Sequence, residues 1–142
     1  MSHAYMIHIS LIKRLYDQCM EPVLQQYGIK RMELDILLFL ANNPQFDTAS
    51  DIIHCRGLSK SHVSTSIQHL IDRDFLSSWK HEDDKKKIHL QVKPAADVII
   101  EAGRIAQSTF FQTLVKDFTK EEVAMLSCLF EKMETNIRHA VK

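Results

Sequence analysis

Between residues 5 and 24 the apolar positions Met6, Ile9, Ile12, Leu15, Tyr16, Cys19, Met20 and Val23 recur at steps of three and four. That is the spacing of one helical face, so a long first helix is expected. Pro22 falls late in it and should kink or restart it, because the ring removes a donor and crowds the preceding turn. Gly28 should end it. Residues 32–41 are apolar on nearly every side, with Leu34, Ile36, Leu37, Leu38, Phe39 and Leu40 in one run, which predicts a second, central and buried helix. Asn42, Asn43 and Pro44 stop it. Thr48 or Ser50 can cap a short third helix reaching about Cys55, closed by Arg56 and Gly57. Ser59 can cap a fourth that reaches about Arg73.

The fourth helix has a narrow apolar stripe, Val63, Ile67, Leu70 and Ile71. Lys60, Ser61, His62, Ser64, Thr65, Gln68 and His69 cover the remainder, leaving an outer face that is polar, small and nearly uncharged. Residues 75–80 and 88–92 read as two extended segments, since Ile88, Leu90 and Val92 alternate with polar neighbours. The charged stretch 81–87 between them makes the pair a hairpin. Pro94, at a first helical position, opens a fifth helix to about Phe118. Thr119 and Glu122 form a capping box for a sixth, which carries Val123, Leu126, Leu129, Phe130, Met133 and Ile137. The expected fold is mostly α with a small β component: four helices, a hairpin and two helices. No repeat, low-complexity tract or Gly/Ser linker divides the 142 residues, so one continuous body is expected.

The terminal helices have apolar residues that one chain of this size could scarcely hide: Ile9, Ile12, Leu15, Ile105, Leu114, Leu126, Leu129, Phe130 and Ile137. A homodimer is therefore expected, with about 1–29 and 94–142 as its helical interface and about 30–93 as a separate functional module.

Charge sharpens that division. Lys plus Arg and Asp plus Glu each total 18, so net charge offers no argument for a nucleic-acid partner. Residues 56–93, however, carry eight basic against five acidic side chains, while both flanks are slightly negative. A short helix, a tight turn at Gly57 and a helix faced with Ser, Thr, His, Lys and Gln suit major-groove reading, because short polar side chains let the backbone approach base edges. A hairpin bearing Lys80, Lys85, Lys86 and Lys87 adds phosphate contacts, and its tip can reach a neighbouring minor groove. The expected DNA-contacting set is Ser59, Lys60, Ser61, His62, Ser64, Thr65, Gln68, His69, Lys80, Asp84, Lys85, Lys86 and Lys87.

From about Ile9 to Ile137 the order of elements and the local residues resemble the MarR family of bacterial winged helix-turn-helix regulators. The stretches that carry the resemblance are 58–64 leading the fourth helix, 70–73 ending it, and Asp84, Lys85 and Lys86 with Ile88, Leu90, Val92 and Pro94 in the wing. The resemblance implies a cytoplasmic, nucleoid-associated transcription regulator, commonly a repressor, acting as a homodimer on a pseudo-palindromic DNA operator. It also implies departures. Lys86 stands where the family usually has the Arg that enters the minor groove, Asp74 where a Gly follows the fourth helix, Lys93 where a Thr caps the fifth, and Thr65 where many members place a base-contacting Arg. Lys lacks the planar fork of Arg and is costlier to dehydrate, so more of the reading falls to the helix. Family members also commonly bind a small aromatic or anionic effector between dimer helices and winged module. Here that cleft would be lined by Tyr16, Met20, Met32, Leu37 and Phe110.

Other chemistry finds little material. Cys19, Cys55 and Cys128 are few, odd in number and far apart, which argues against a secreted disulfide framework and for a reduced cytosolic setting. The family's peroxide-sensing branch has its cysteine near the start of the first helix, where Met6 stands, so Cys19 is expected to pack inertly. No His or Cys pair has tight metal-ligand spacing, and no metal or cofactor is expected. Nucleophile elbows, phosphate loops and dinucleotide turns are missing, so an enzyme is not expected. No apolar run reaches the ~20 residues of a membrane span. The alternative to DNA binding is a winged helix used only to dock other proteins, which zero net charge also suits.

Overall fold

A computed structural model describes residues 2–141, with side chains for 6–141. Six helices and one hairpin follow in order: α1 (Ser2–Tyr27), α2 (Arg31–Asn42), α3 (Ala49–Arg56), α4 (Lys60–Asp72), β1 (Leu76–Trp79), β2 (His89–Val92), α5 (Asp97–Leu114) and α6 (Lys120–Ala140). A single 3-10 turn, Pro94–Ala96, leads into α5. The expected order and fold class are both present.

Three boundaries depart from the sequence reading. First, α1 runs on through Pro22 to Tyr27 instead of restarting. Pro22 and Gln18, whose carbonyl loses its helical partner there, both face solvent, where water can take the bond. Second, α5 stops at Leu114, four residues before Phe118. The capping box of α6 requires Thr119 to be extended (φ −72°, ψ 165°), so the chain must leave the helix earlier, and a turn closed by Phe118 N–H on the Val115 carbonyl (2.9 Å) does this. Third, the strands are four residues each, paired antiparallel from Leu76 opposite Val92 to Trp79 opposite His89.

The core is built around α2. Leu34, Ile36 and Leu37 are fully enclosed, and Leu38 and Leu40 nearly so. Met20 and Val23 of α1, Ile99 and Ile100 of α5, Val63, Ile67 and Leu70 of α4, Ile52 of α3, Leu76 of β1 and Leu90 of β2 close around them. Burying each such aliphatic side chain is worth about 1.5–3 kcal/mol, so this cluster dominates the stability of the domain. α5 approaches α2 at Gly103, where a Cβ would stand 3.0 and 3.1 Å from the Leu38 methyls and 3.2 Å from a Leu34 methyl.

The hairpin is fastened to the helices by main chain. Leu90 N–H donates to the Asp47 carbonyl (2.7 Å) and Ala49 N–H to the Ile88 carbonyl (3.4 Å), so the segment before α3 lies along β2 like a short third strand. At the other extreme α6 buries none of its residues. Leu129, Phe130, Met133 and Ile137 on α6, Ile105 on α5 and Ile9 and Ile12 on α1 are all exposed in the single chain. Among the described residues no helix is long and apolar enough to cross a membrane.

The contact at Gly103 gives a test of packing. Replacing Gly103 by Val drives a branched side chain into Leu34 and Leu38 and should lower the unfolding free energy by about 1–3 kcal/mol, read as a drop in the urea midpoint at constant m-value.

Candidate nucleic-acid interface

The reading unit begins with the cap of α3. Asp51 N–H donates to the Thr48 hydroxyl (3.1 Å), while the Asp51 carboxylate accepts from Thr48 N–H (3.1 Å) and its hydroxyl (2.7 Å). Thr48, rather than Ser50, is therefore the capping residue. Gly57 closes the helix at φ +60°, a left-handed conformation that costs a glycine nothing. Ser59 then opens α4 by accepting from His62 N–H (3.4 Å).

Val63, Ser66, Ile67 and Leu70 face the core, which turns Lys60, Ser61, His62, Ser64, Thr65 and Gln68 outward. Two of these are preset: the Thr65 hydroxyl donates to the Ser61 carbonyl (2.9 Å) and the Gln68 amide to the Asp72 carboxylate (2.8 Å). Gln68 keeps its amide oxygen for an incoming donor. His69 departs from this set. Its Nδ1 lies 3.2 Å from an oxygen of Glu33, whose carboxylate is buried and also accepts from Lys30 N–H (2.9 Å). His69 therefore ties α4 to the start of α2 and is turned away from the outward group.

In the wing, Lys80, Lys85, Lys86 and Lys87 are all exposed, and among the described residues none of them is in an ion pair. Asp84 braces the turn by accepting from the main-chain N–H of Lys86 (3.2 Å), which leaves the Lys86 ammonium free. Asp74 adopts φ +63°, the left-handed conformation expected of the residue after α4, and pairs with Lys93.

The root of the wing holds a group that the sequence does not announce. His89 stacks on Trp79 with centroids 4.4 Å apart and places Nδ1 3.0 Å from the Asp47 carboxylate. His81 meets both rings edge-on. Their positions lie up to 42 residues apart in the chain, and no spacing rule joins them.

The five residues expected to line an effector cleft are arranged differently. Met20 and Leu37 are fully enclosed in the core, and Met32 packs half-buried against it. Phe110 packs edge-on against Tyr16 at 5.1 Å, and the Tyr16 hydroxyl accepts from Gln107 (3.1 Å). What lies open beside Tyr16 is a polar recess of about 220 Å³ reached by Asp35, Asn42, Arg56 and Gln107. Nearby, Arg31 joins Asp17 (2.5 Å) and Asp35 (3.1 Å) and lies over the Tyr16 ring. Burial works against its charge, but the bond to Asp17 and the pull of Asp35 outweigh that and raise its pKa above the ordinary value. Among the described residues no three His, Cys, Asp or Glu side chains converge as a metal set.

The model of the MarR family matches residues 27–87, the segment from the end of α1 to the wing. No curated protein matches this chain. Among solved structures, it is similar to a MarR-family transcriptional regulator from Listeria monocytogenes complexed with 26-mer DNA (TM-score 0.82, 17% identity, 93% of this chain and 87% of that one). It is similar also to the Staphylococcus aureus MepR–DNA complex (TM-score 0.75, 18% identity, 96% and 98%). A third is Staphylococcus aureus MarR in complex with salicylate and kanamycin (TM-score 0.79, 19% identity, 97% and 93%). At these identities the likeness establishes the winged-helix fold along nearly the whole chain.

Trp79 is the single tryptophan, so its fluorescence reports on the wing root alone. His89→Ala should shift its emission to the red as solvent reaches the ring, and Asp47→Ala should act in the same direction. A double-mutant cycle on urea unfolding should give a coupling of about 0.5–1.5 kcal/mol between the two, the worth of one hydrogen bond.

Proposed function

We propose that this chain is a homodimeric transcription regulator of the MarR family, not an enzyme, that represses by occupying a pseudo-palindromic DNA operator. The observation that carries the reading is the pairing of the outward polar face of α4 with a wing whose four lysines are exposed and unpaired among the described residues. Ser61, His62, Ser64, Thr65 and Gln68 would meet base edges, and Lys60, Lys80, Lys85, Lys86 and Lys87 would meet phosphates. Ser59 and Asp84 act from behind, capping the helix and shaping the turn. The exposed apolar residues of α1, α5 and α6 would be covered by the same residues of a second copy, placing two α4 helices about 34 Å apart to meet successive major grooves. The DNA-bound structures from Listeria monocytogenes and Staphylococcus aureus support this use of the fold.

A second element of the reading concerns relief. The salicylate-bound Staphylococcus aureus relative directs attention to small aromatic acids, and the recess beside Tyr16 offers Arg56 for a carboxylate and an aromatic wall for a ring. Such a ligand can release DNA only through its differential affinity for the two arrangements of the winged modules.

Sedimentation equilibrium at micromolar protein should give a dimer without DNA; a monomer would remove the two-half-site arrangement. Binding should weaken steeply with salt, by a slope of about 0.9 per phosphate neutralised. Lys85→Ala should lower affinity for operator and random duplex alike, whereas Gln68→Ala or His62→Ala should narrow the gap between them by about 1–3 kcal/mol. Equal loss on both duplexes from Gln68→Ala and His62→Ala as well as from Lys85→Ala would refute the division of labour, and no salt-dependent retention on heparin or DNA would favour a protein-docking module. Millimolar salicylate should release the operator, and Arg56→Ala should shift the midpoint while leaving ligand-free binding unchanged.

A further inference from the structure

At the far end of the recognition helix two helices finish side by side. α1 ends with Gly28 at φ +57°, and Ile29 N–H reaches back to the Leu24 carbonyl (3.1 Å). α4 ends in the same way: Asp74 is left-handed, Phe75 N–H reaches the Leu70 carbonyl (2.9 Å) and Asp74 N–H the Ile71 carbonyl (3.0 Å). Each such ending turns its last carbonyls outward and concentrates partial negative charge. Arg73, the capping residue of α4, lies between them. Its Nη1 donates to the Gly28 carbonyl (2.8 Å) and its Nη2 to the Tyr27 carbonyl (3.0 Å), while the guanidinium lies 4.9 Å over the Phe75 ring, which fixes the plane of the fork.

Among the described residues these are the only hydrogen bonds that join the end of α4 to the end of α1. The neighbouring contact of His69 with Glu33 runs to α2 and does not reach α1. α1 belongs to the exposed apolar surface assigned above to the dimer, and α4 is the helix assigned to the groove. The angle between them decides where the two reading faces lie in the assembled protein.

We propose that Arg73 is a positioning residue that locks the recognition helix to the dimer helix and thereby sets which half-site spacing the protein accepts. The inference rests on the operator-binding reading above. Arg73 need not touch DNA: its fork is spent on the two α1 carbonyls. One inserted or deleted base pair moves the half-sites by about 3.4 Å and rotates them by roughly 34°. A rigid link refuses that displacement and a loosened one tolerates it.

The test uses the full-length dimer and duplexes carrying the operator selected by the wild type from genomic fragments. The same half-sites are set one base pair closer and one further apart, and a random duplex serves as reference. Wild type should bind the native spacing at least tenfold more tightly than either altered one. Arg73→Gln should bring the three within about threefold of one another while retaining preference for half-sites over random DNA. Arg73→Lys keeps the charge and the stem over Phe75 but cannot serve both carbonyls with a planar fork, and should relax spacing in the same sense. It also decides the matter if the glutamine variant does not fold, as judged by circular dichroism and sedimentation. A folded variant that keeps the tenfold spacing preference overturns the role of Arg73 alone. A variant that loses affinity equally for operator and random DNA makes Arg73 a phosphate contact and overturns it too. A wild type that cannot distinguish operator from random DNA overturns the operator reading and this inference with it.

Discussion

The demand of α2 for cover on every side organises the domain. A helix with Leu34, Ile36, Leu37, Leu38 and Leu40 around its circumference has no face to offer water, so each neighbouring element is recruited to a different side of it. α1 and α5 lie along one flank, α4 along another with α3 packed on it, and β2 closes the remainder. Gly103 lets α5 come close enough to seal the contact. Because α4 and the hairpin pack on the same helix and α4 also contacts β1, the polar faces they turn outward are held in a fixed relation.

Within that frame, the local chemistry of the interface divides by side-chain length. The outward face of α4 has short polar groups, some preset by their own helix, as with Thr65 on Ser61 and Gln68 on Asp72. The wing has long cations on a turn shaped by Asp84 and rooted by main-chain bonds and the Asp47, His89 and Trp79 group. Zero net charge is no obstacle to this arrangement, since electrostatic attraction acts over about a Debye length of ~8 Å and depends on the local cluster.

The helical periphery shows a different balance. α6 is secured at its start by a complete capping box yet buries nothing, and with α1 and α5 it leaves an apolar surface uncovered by the chain itself. α1 and α5 join the rest of the domain through apolar packing on α2, and polar contacts supplement it at the junctions. Arg31 of α2 reaches Asp17 of α1, Arg56 brings α3 to Asp35 of α2, and Arg73 joins the ends of α4 and α1. Charged forks at these junctions fix angles, whereas apolar packing alone would fix mainly distance.

Secondary structure was largely written in the residues, because periodicity, caps and breakers act over one or two turns. The six helices, the hairpin, the Thr119 capping box, the Gly57 turn and the left-handed Asp74 are all local consequences of adjacent side chains. The outward set on α4 was legible for the same reason, with His69 as the exception, since a helical wheel does not show that a buried Glu33 waits beside it. The end of α5 and the passage of α1 through Pro22 depended on competition with a neighbouring cap and on exposure to solvent. Only the tertiary structure decided that Met20 and Leu37 belong to the core and not to a cleft, that His89 meets Asp47 and Trp79, and that Arg73 reaches Tyr27 and Gly28. Those outcomes join residues up to 46 positions apart. Periodicity says which way a side chain faces on its own element, but what it meets there is set by how the elements pack around α2.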